Sequence, residues 1–205
     1  MNIAIYMEGG GPKPNSHALL RQGMDAFLAE IKDACRKKRW NWKLVCCGTR
    51  DETYKHFENE RANSDDSIVV LLVDSETRVD MSAPAAHLAA HDQWDFQGVD
   101  DDVIHLMVQT METWIVADPD ALRAYYGQGF RGNVLPRHQN LEEVNKSDIG
   151  QALNLATQGT QKGKYHKIKH ARELLQLINT MTVRERCPHC ERLFETLLQL
   201  INSEE

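Results

Sequence analysis

Acidic side chains stand at the ends of two apolar runs of the sequence. Glu8 directly follows the run NIAIYM at residues 2–7. Asp74 directly follows the run IVVLLV at residues 68–73, and Glu76 comes two positions later. If both runs are neighbouring parallel strands, their carboxyl ends meet at one edge of the sheet, where ligands bind in open α/β sheets. Three carboxylates there would repel one another unless a cation neutralised them, and oxygen-only ligands suit Mg²⁺ or Mn²⁺.

The spacing of Asp74 and Glu76 supports the same prediction. In an extended chain alternate side chains point to the same side, and neighbouring strands lie only about 5 Å apart. This geometry requires residues 74–76 to stay extended. Taken singly, each acid is better explained as a solvated carboxylate or as the cap of a helix, so the prediction depends on the set.

Two further residues are candidates for the same chemistry. Glu112 lies just beyond a strand candidate at residues 103–109. It is either a further metal ligand, completing the two-metal arrangement that nucleases use, or an acid favoured by the dipole at a helix start. The segment KYHKIKH at residues 164–170 mixes cations with an aromatic ring, as phosphate-contacting surfaces do. Within it, Lys167 is the candidate for balancing charge on a transferring phosphoryl group, and the alternative is an ordinary basic helix start.

Other possible ligands give a weaker signal. His166 and His170 share one helical face, but no glutamate-containing zinc motif surrounds them. Cys187 and Cys190 have the spacing of half a zinc site, whereas a structural zinc site needs a second pair of ligands. We therefore interpret both cysteines as small apolar thiols in a loop.

Several patterns argue against other chemistries and roles. The sequence has neither a Gly-x-x-x-x-Gly-Lys-Ser/Thr loop for ATP hydrolysis nor a Gly-x-Ser-x-Gly elbow for a serine hydrolase. Asp118 precedes Pro119, which indicates a helix cap or a turn. We expect Trp114 to be a core residue rather than a platform for base stacking.

The elements that must position these residues follow from hydrophobic periodicity. Strand candidates cover residues 2–7, 42–47, 68–73 and 103–109, and helical patterns cover 51–63, 83–94 and 111–126, the last interrupted by Asp118-Pro119. Further helices are indicated by apolar residues at three- or four-residue spacing, namely Leu20, Met24, Phe27, Ile31 and Cys35 in one, Ile168, Ala171, Leu174, Leu175 and Ile178 in another, and Leu193, Phe194, Leu197, Leu198 and Ile201 in a third. The alternation predicts an α/β fold with a mostly parallel sheet of about four strands flanked by helices. We place this core at residues 1–126 and a helical and loop extension packed on it at residues 127–205.

Composition limits the classes of protein that the chain can belong to. Its 205 residues carry a net charge of -6, which argues against a protein that coats nucleic acid indiscriminately. The charge is unevenly spread, because residues 162–192 hold eight Lys or Arg and three acids, leaving -11 for the remainder. No apolar run approaches the roughly 18–20 residues that cross a bilayer, and no basic segment typical of a secretion signal precedes the first run. Together with the odd number of five cysteines, this indicates a cytoplasmic protein with reduced thiols.

Two groups of motifs resemble a known superfamily. Residues 3–10, IAIYMEGG, and 70–76, VLLVDSE, resemble the Toprim domain of topoisomerases, primases and OLD-type nucleases, where a glutamate follows strand one and Asp-x-Asp follows strand three. Residues 105–118, HLMVQTMETWIVAD, and 165–171, YHKIKHA, are similar to an uncharacterised bacterial branch of Toprim-like proteins. Members of that branch often accompany an ATPase in phage-defence loci. The chain departs from the pattern at Glu76, where the superfamily has an aspartate.

The resemblance implies a Toprim-like core and a nuclease dependent on Mg²⁺ or Mn²⁺ that cleaves RNA or DNA phosphodiesters. By resemblance, Glu8 is a metal ligand or the general acid/base, and Asp74 and Glu76 are metal ligands. It also implies an ATPase partner, a role in antiviral defence through abortive infection and, by analogy, a homodimer. Two alternatives stay open: a non-catalytic interaction or regulatory subunit of an ATPase complex, and a small-molecule phosphotransferase that uses the same acids.

Overall fold

The fold is α/β, with four parallel strands in one sheet, which confirms the predicted fold class. A computed structural model describes residues 1–11, 14–64, 66–79 and 83–203. The strands are β1 (Asn2–Met7), β2 (Asn41–Cys46), β3 (Ser67–Asp74) and β4 (Ile104–Met107), in the order β2-β1-β3-β4. In this order β1 and β3 are adjacent and central. The register pairs Met7 with Leu72, so the residues that follow the two strands emerge at the same edge.

Helices connect the strands and form the C-terminal part. They are α1 (Pro14–Phe27), α2 (Ala29–Lys37), α3 (Arg50–Asn63), α4 (Pro84–Asp92), α5 (Met111–Val116), α6 (Pro119–Tyr126), α7 (Lys146–Thr157), α8 (Lys167–Leu177), α9 (Thr180–Arg186) and α10 (Pro188–Ser203). None of the helices among the described residues combines the length and the apolar character needed to cross a membrane.

Alternate side chains of β1 enter two separate apolar cores. Ile3 and Ile5 pack in one core with residues of α1, α2 and the C-terminal helices. Ala4 and Tyr6 pack in the other core, which includes Phe57 of α3. The sheet is therefore covered on both faces, as the unbroken apolar runs of its central strands predict.

The structure differs from the sequence prediction at a few elements. The helix predicted from Leu20 to Cys35 is divided at Leu28, a fully buried residue with φ -89° and ψ 19° that lies between α1 and α2. Helices α7 and α9 were not predicted. The first is preceded by turn-rich sequence that hides its start, and the second has only seven residues, too few for its periodicity to stand out.

Helix α8 packs closely along α1 and belongs to the same apolar core. The closest approach is at Gly23, where a Cβ atom would lie 2.8 Å from both Cα and the carbonyl oxygen of Arg172. A residue with a side chain would not fit there without moving one helix. This contact fixes the start of α8, and with it Lys167, relative to the sheet edge.

Candidate metal centre

Glu8, Asp74 and Glu76 converge at the carboxyl edge of β1 and β3. Each offers one carboxylate oxygen, and these oxygens all lie within 4.8 Å of one another. The backbone N–H of Asp74 donates a hydrogen bond of 3.2 Å to Oε2 of Glu8, which ties the two strand ends together. The structure therefore brings together the three acids that the sequence predicted to converge.

The geometric reason given for Glu76 was wrong. Strand β3 ends at Asp74, and Glu76 has a φ of 64°, which is not extended backbone. The N–H groups of Ser75 and Glu76 donate to the carbonyl oxygens of Met107 and Gln109 at 3.1 and 3.0 Å. Glu76 thus reaches the other acids through a turn held by the chain that follows β4, in a left-handed conformation that non-glycine residues seldom adopt.

Asp74 is buried, with 3% of its surface exposed. Its Oδ1 accepts a hydrogen bond of 2.8 Å from the N–H of Met111, and its Oδ2 lies 3.2 Å from the hydroxyl oxygen of Thr110. The ammonium group of Lys167 lies 3.6 Å from the same Oδ2. Burial raises the pKa of Asp74 above its ordinary value, and the charge of Lys167 opposes that rise.

Glu8 is paired with Arg50, a residue of α3. Arg50 Nη1 lies 3.2 Å from Glu8 Oε2 and also donates to the carbonyl oxygen of Asp74. Nε and Nη2 of Arg50 donate hydrogen bonds of 2.8 and 2.7 Å to the carboxylate of Asp92. The central carbon of the guanidinium lies 5.1 Å from the ring centroid of Trp94. Burial and the charge of Asp74 raise the pKa of Glu8 to about 7, although Arg50 opposes the shift.

Glu112 lies in the first turn of α5, beside the three acids but outside their set. Its Oε2 accepts a hydrogen bond of 2.6 Å from Thr110 and lies 3.6 Å from the ammonium group of Lys167. Its Oε1 accepts one of 3.1 Å from the hydroxyl of Tyr165. Burial alone would raise the pKa of Glu112, but Lys167 and these hydroxyl groups bring it below its ordinary value. Glu112 is therefore an ionised partner of Lys167, and its role as a metal ligand stays a prediction.

Lys167, the first residue of α8, is held between carboxylates. Burial on its own would lower the pKa of its ammonium group, but the charges of Asp74, Glu112 and Glu8 outweigh burial and raise it. The lysine is thus kept charged at the edge of the acid cluster. A lysine that stabilises a phosphoryl group must lie next to the acids, and Lys167 lies next to Asp74.

The sequence analysis missed two cations of the site. Lys146, the first residue of α7, lies with its ammonium group 2.5 Å from Glu76 Oε2, and it was missed because α7 itself was not predicted. Arg50 had a usable signal, since it follows Thr49, whose side chain and that of Glu52 form a capping box just after β2. The rule that residues after parallel strands line the ligand edge applies to it as well.

The charges around the acids do not balance. The interacting carboxylates are those of Glu8, Asp74, Glu76, Asp92 and Glu112, and the cations paired with them are Arg50, Lys146 and Lys167. Among the residues that the structure describes and whose ion pairs are given above, five negative and three positive groups leave a formal charge of -2 when all are ionised. One divalent cation would neutralise this part of the molecule.

Two residues that we expected to be structural are so. Trp114 is fully buried and stacks on Phe27, with ring centroids 5.2 Å apart, which confirms it as a core residue. The carboxylate of Asp118 accepts a hydrogen bond of 3.0 Å from the N–H of Ala121 and caps α6, as predicted.

The two histidines and two cysteines that gave weaker signals have structural roles. The Nδ1 atom of His170 lies 3.0 Å from the hydroxyl of Tyr126 and accepts a hydrogen bond of 3.1 Å from the N–H of His166. Cys187 and Cys190 are fully buried free thiols, and burial raises the pKa of both. The prediction that they lie in a loop was wrong for Cys190, which is in α10, whereas Cys187 lies between α9 and α10. In the part of the chain that the structure describes, neither pair belongs to a group of three ligands close enough to hold a metal ion.

Comparison with known proteins identifies a family. The sequence model of the DUF4276 family, a domain of unknown function, matches residues 7–198. That span covers most of the chain, so the protein belongs to the DUF4276 family. Among curated proteins and among solved structures, no significant match to the chain was found.

Proposed function

We propose that this chain is a Toprim-like nuclease that uses Mg²⁺ or Mn²⁺ to cleave phosphodiesters of RNA or DNA. The observation that carries the proposal is the group of oxygens from Glu8, Asp74 and Glu76, all within 4.8 Å of one another, at the carboxyl edge of central parallel strands. Lys167 supports it, because it supplies a cation 3.6 Å from Asp74.

The donor set fits a hard divalent cation. All three side chains offer carboxylate oxygen, which Mg²⁺ and Mn²⁺ prefer, whereas zinc sites usually include nitrogen or sulfur. The formal charge of -2 around the acids also matches the charge of one such ion. Glu8, Asp74 and Glu76 would hold it. Bound there, the ion would activate water and stabilise the oxygens of an in-line displacement at phosphorus.

The surrounding side chains have separate tasks in this chemistry. Glu8 has a pKa of about 7 without metal, so it can serve as a general acid or base near neutral pH only if Asp74 and Glu76 alone hold the ion, since a metal-bound carboxylate stays ionised. Lys167 stays charged and stabilises the negative charge that develops on the phosphoryl group. Tyr165 and Thr110 donate hydrogen bonds to Glu112 and so fix the carboxylate that positions Lys167.

Cleavage assays on purified protein test the proposal. RNA and single- and double-stranded DNA are incubated with the wild type, Glu8→Gln, Asp74→Asn and the control Glu58→Gln in Mn²⁺. Glu58 is a half-exposed acid of α3 whose ion partner is Arg61. We expect cleavage by the wild type and the control and its loss in the two site variants. Undiminished cleavage by both Glu8→Gln and Asp74→Asn would exclude this active site.

A non-catalytic role is the second candidate, and one observation favours it. Arg50, Lys146 and Lys167 already pair with Glu8, Glu76 and Asp74, so each of the three acids has a counter-ion without a metal. Such a chain would act as an interaction subunit of an ATPase complex. Stable complex formation without cleavage, either alone or with the ATPase, is the outcome expected for this candidate. The ATPase partner, the homodimer and the role in antiviral defence rest on the Toprim-like resemblance and stay predictions.

A further inference from the structure

A cavity of about 340 Å³ opens beside Glu8. It lies between the glycine loop after β1, the first half of α1 and the start of α8. Its volume falls in the range of pockets that enclose small-molecule ligands, on the order of 300–1,000 Å³. Because Glu8 forms part of its wall, the cavity adjoins the candidate metal centre directly.

The side walls of this cavity are apolar. Leu20 of α1 and Ala171 of α8 face it from two sides, and Ile168 completes the wall. Ile168 is 40% exposed. Gly11 adjoins Ile168 in the lining, and a Cβ atom there would make an ordinary van der Waals contact of 3.4 Å with the Ile168 side chain.

The lining also includes polar side chains, two of which are cations. Lys167 and Arg172 both line it, and Lys167 also lies 3.6 Å from Asp74. His166 and Ser16 add a ring nitrogen and a hydroxyl group to the wall. A ligand in the cavity would thus have apolar contact along its body, and an anionic group on it would lie between the lysine and the acids.

We infer that this cavity binds one nucleotide unit of the substrate, with the base between Ile168 and Leu20 and its phosphate next to Lys167. A nucleotide combines a flat apolar ring with an anionic group, which matches the apolar walls and the two cations. Aliphatic carboxylic acids of similar size lack the flat ring, and inorganic phosphate would leave the apolar walls without contact.

The inference rests on the proposed function and narrows its substrate class. A base that is stacked and paired in a duplex cannot enter a pocket between two helices, so the target nucleotide must be unpaired or turned out of its stack. Single-stranded nucleic acid or the unpaired part of a folded RNA is therefore the substrate that this cavity selects. We expect single strands to be cleaved in preference to a duplex of the same sequence.

Binding of adenosine 5′-monophosphate in Mn²⁺, measured by titration calorimetry, tests the pocket without depending on cleavage. We expect the wild type to bind the nucleotide at least about tenfold more tightly than inorganic phosphate. Ile168→Glu should weaken nucleotide binding by about tenfold or more and leave Mn²⁺ binding unchanged. The matched control is Leu177→Glu, an exposed leucine at the other end of α8, which should bind the nucleotide like the wild type.

The outcomes separate this inference from the proposed function. If the wild type cleaves nucleic acid but does not bind the nucleotide, or if Ile168→Glu binds it unchanged, the pocket assignment is wrong and the nuclease remains. If the wild type binds the nucleotide and Ile168→Glu does not, yet no cleavage occurs, the pocket is supported and the nuclease proposal fails. Because Ile168 is exposed, its substitution leaves the fold intact, which a thermal melt of each variant checks.

Discussion

The ammonium group of Lys167 lies 3.6 Å from the carboxylate of Asp74. Lys167 begins α8, in the C-terminal part of the chain, whereas Asp74 ends the central strand β3. The candidate site is thus assembled from both parts of the chain. The acids come from the sheet, and the cation that faces them comes from the extension.

Replacing Lys167 tests whether that cation acts on the reacting group. Lys167→Met should lower kcat by roughly 10²–10³-fold, the usual effect of removing one preorganised charge stabiliser. Mn²⁺ binding should persist, because the three carboxylates remain. Lys169→Met, on the same helix turn and exposed, is the control and should retain wild-type cleavage. An equal loss of cleavage in both variants would show that the overall positive charge of this segment, rather than Lys167 itself, is needed.

The pKa of Glu8 predicts how metal affinity depends on pH. A cation binds the ionised carboxylate, and a pKa of about 7 means that protons compete for Glu8 below neutrality. Mn²⁺ affinity, measured by calorimetry, should therefore rise from pH 6 to pH 8. In Glu8→Gln the affinity should be weaker at every pH and the slope shallower. An equal affinity of the wild type at pH 6 and pH 8 would contradict the raised pKa.

Removing Arg50 should destabilise the protein and increase its dependence on metal. Arg50→Met leaves Glu8 and Asp92 without their common partner in a partly buried site, at a cost of roughly 2–3 kcal/mol in the free energy of unfolding. Mn²⁺ should restore part of this loss in urea unfolding, because it also neutralises Glu8. Arg36→Ala, which removes an exposed ion pair with Asp33, should change stability by less than about 1 kcal/mol.

Two Gly→Ala substitutions separate the effect of a steric clash between helices from the effect of reduced flexibility of the unfolded chain. In Gly23→Ala the new methyl group would meet the backbone of Arg172 at 2.8 Å, so α8 must shift away from α1. We expect a loss of about 1–3 kcal/mol in stability and reduced cleavage, because Lys167 moves with the helix. Gly150→Ala is the control within α7, where nothing lies within 4 Å of the added methyl group. It should leave cleavage unchanged and stabilise the fold by about 0.4–1 kcal/mol.

Acid stability should depend on His105, which is almost fully buried in β4. Burial, and then the neighbouring Arg192, lower the pKa of His105 to about 3, whereas an unfolded histidine titrates near 6.5. Between those values the unfolded chain binds the extra proton, so stability is complete above pH 6.5 and is lost as the pH falls towards 3. The urea midpoint should drop between pH 7 and pH 5, and less steeply in His105→Gln. A parallel decline in both proteins would assign the acid sensitivity to other groups.

The sequence predicted the parts of the site that depend on short-range patterns. Apolar runs located β1 and β3 to within a residue or so, and the position of Glu8 and Asp74 after them followed from the edge rule for parallel sheets. Lys167 was selected from the mixture of charges around it. These inferences need only local periodicity and the rule that adjacent parallel strands end together.

Long-range geometry supplied what the sequence could not. Glu76 reaches the site through a turn held by backbone atoms of Met107 and Gln109, a contact with no signature near residue 76. Lys146 comes from a helix whose start is hidden in turn-rich sequence. The cavity beside Glu8 exists only because α8 lies against α1, and no local pattern in either helix specifies that packing.

The packing of α8 on α1 also sets the order in which the site can be completed. Domains generally form from the N-terminus during synthesis, so the three acids are present on the ribosome before α8 has emerged. Until that helix docks through Gly23, the acids lack Lys167 and the cavity has only one wall. Before that docking, the proposed nuclease would have the reduced activity expected of Lys167→Met.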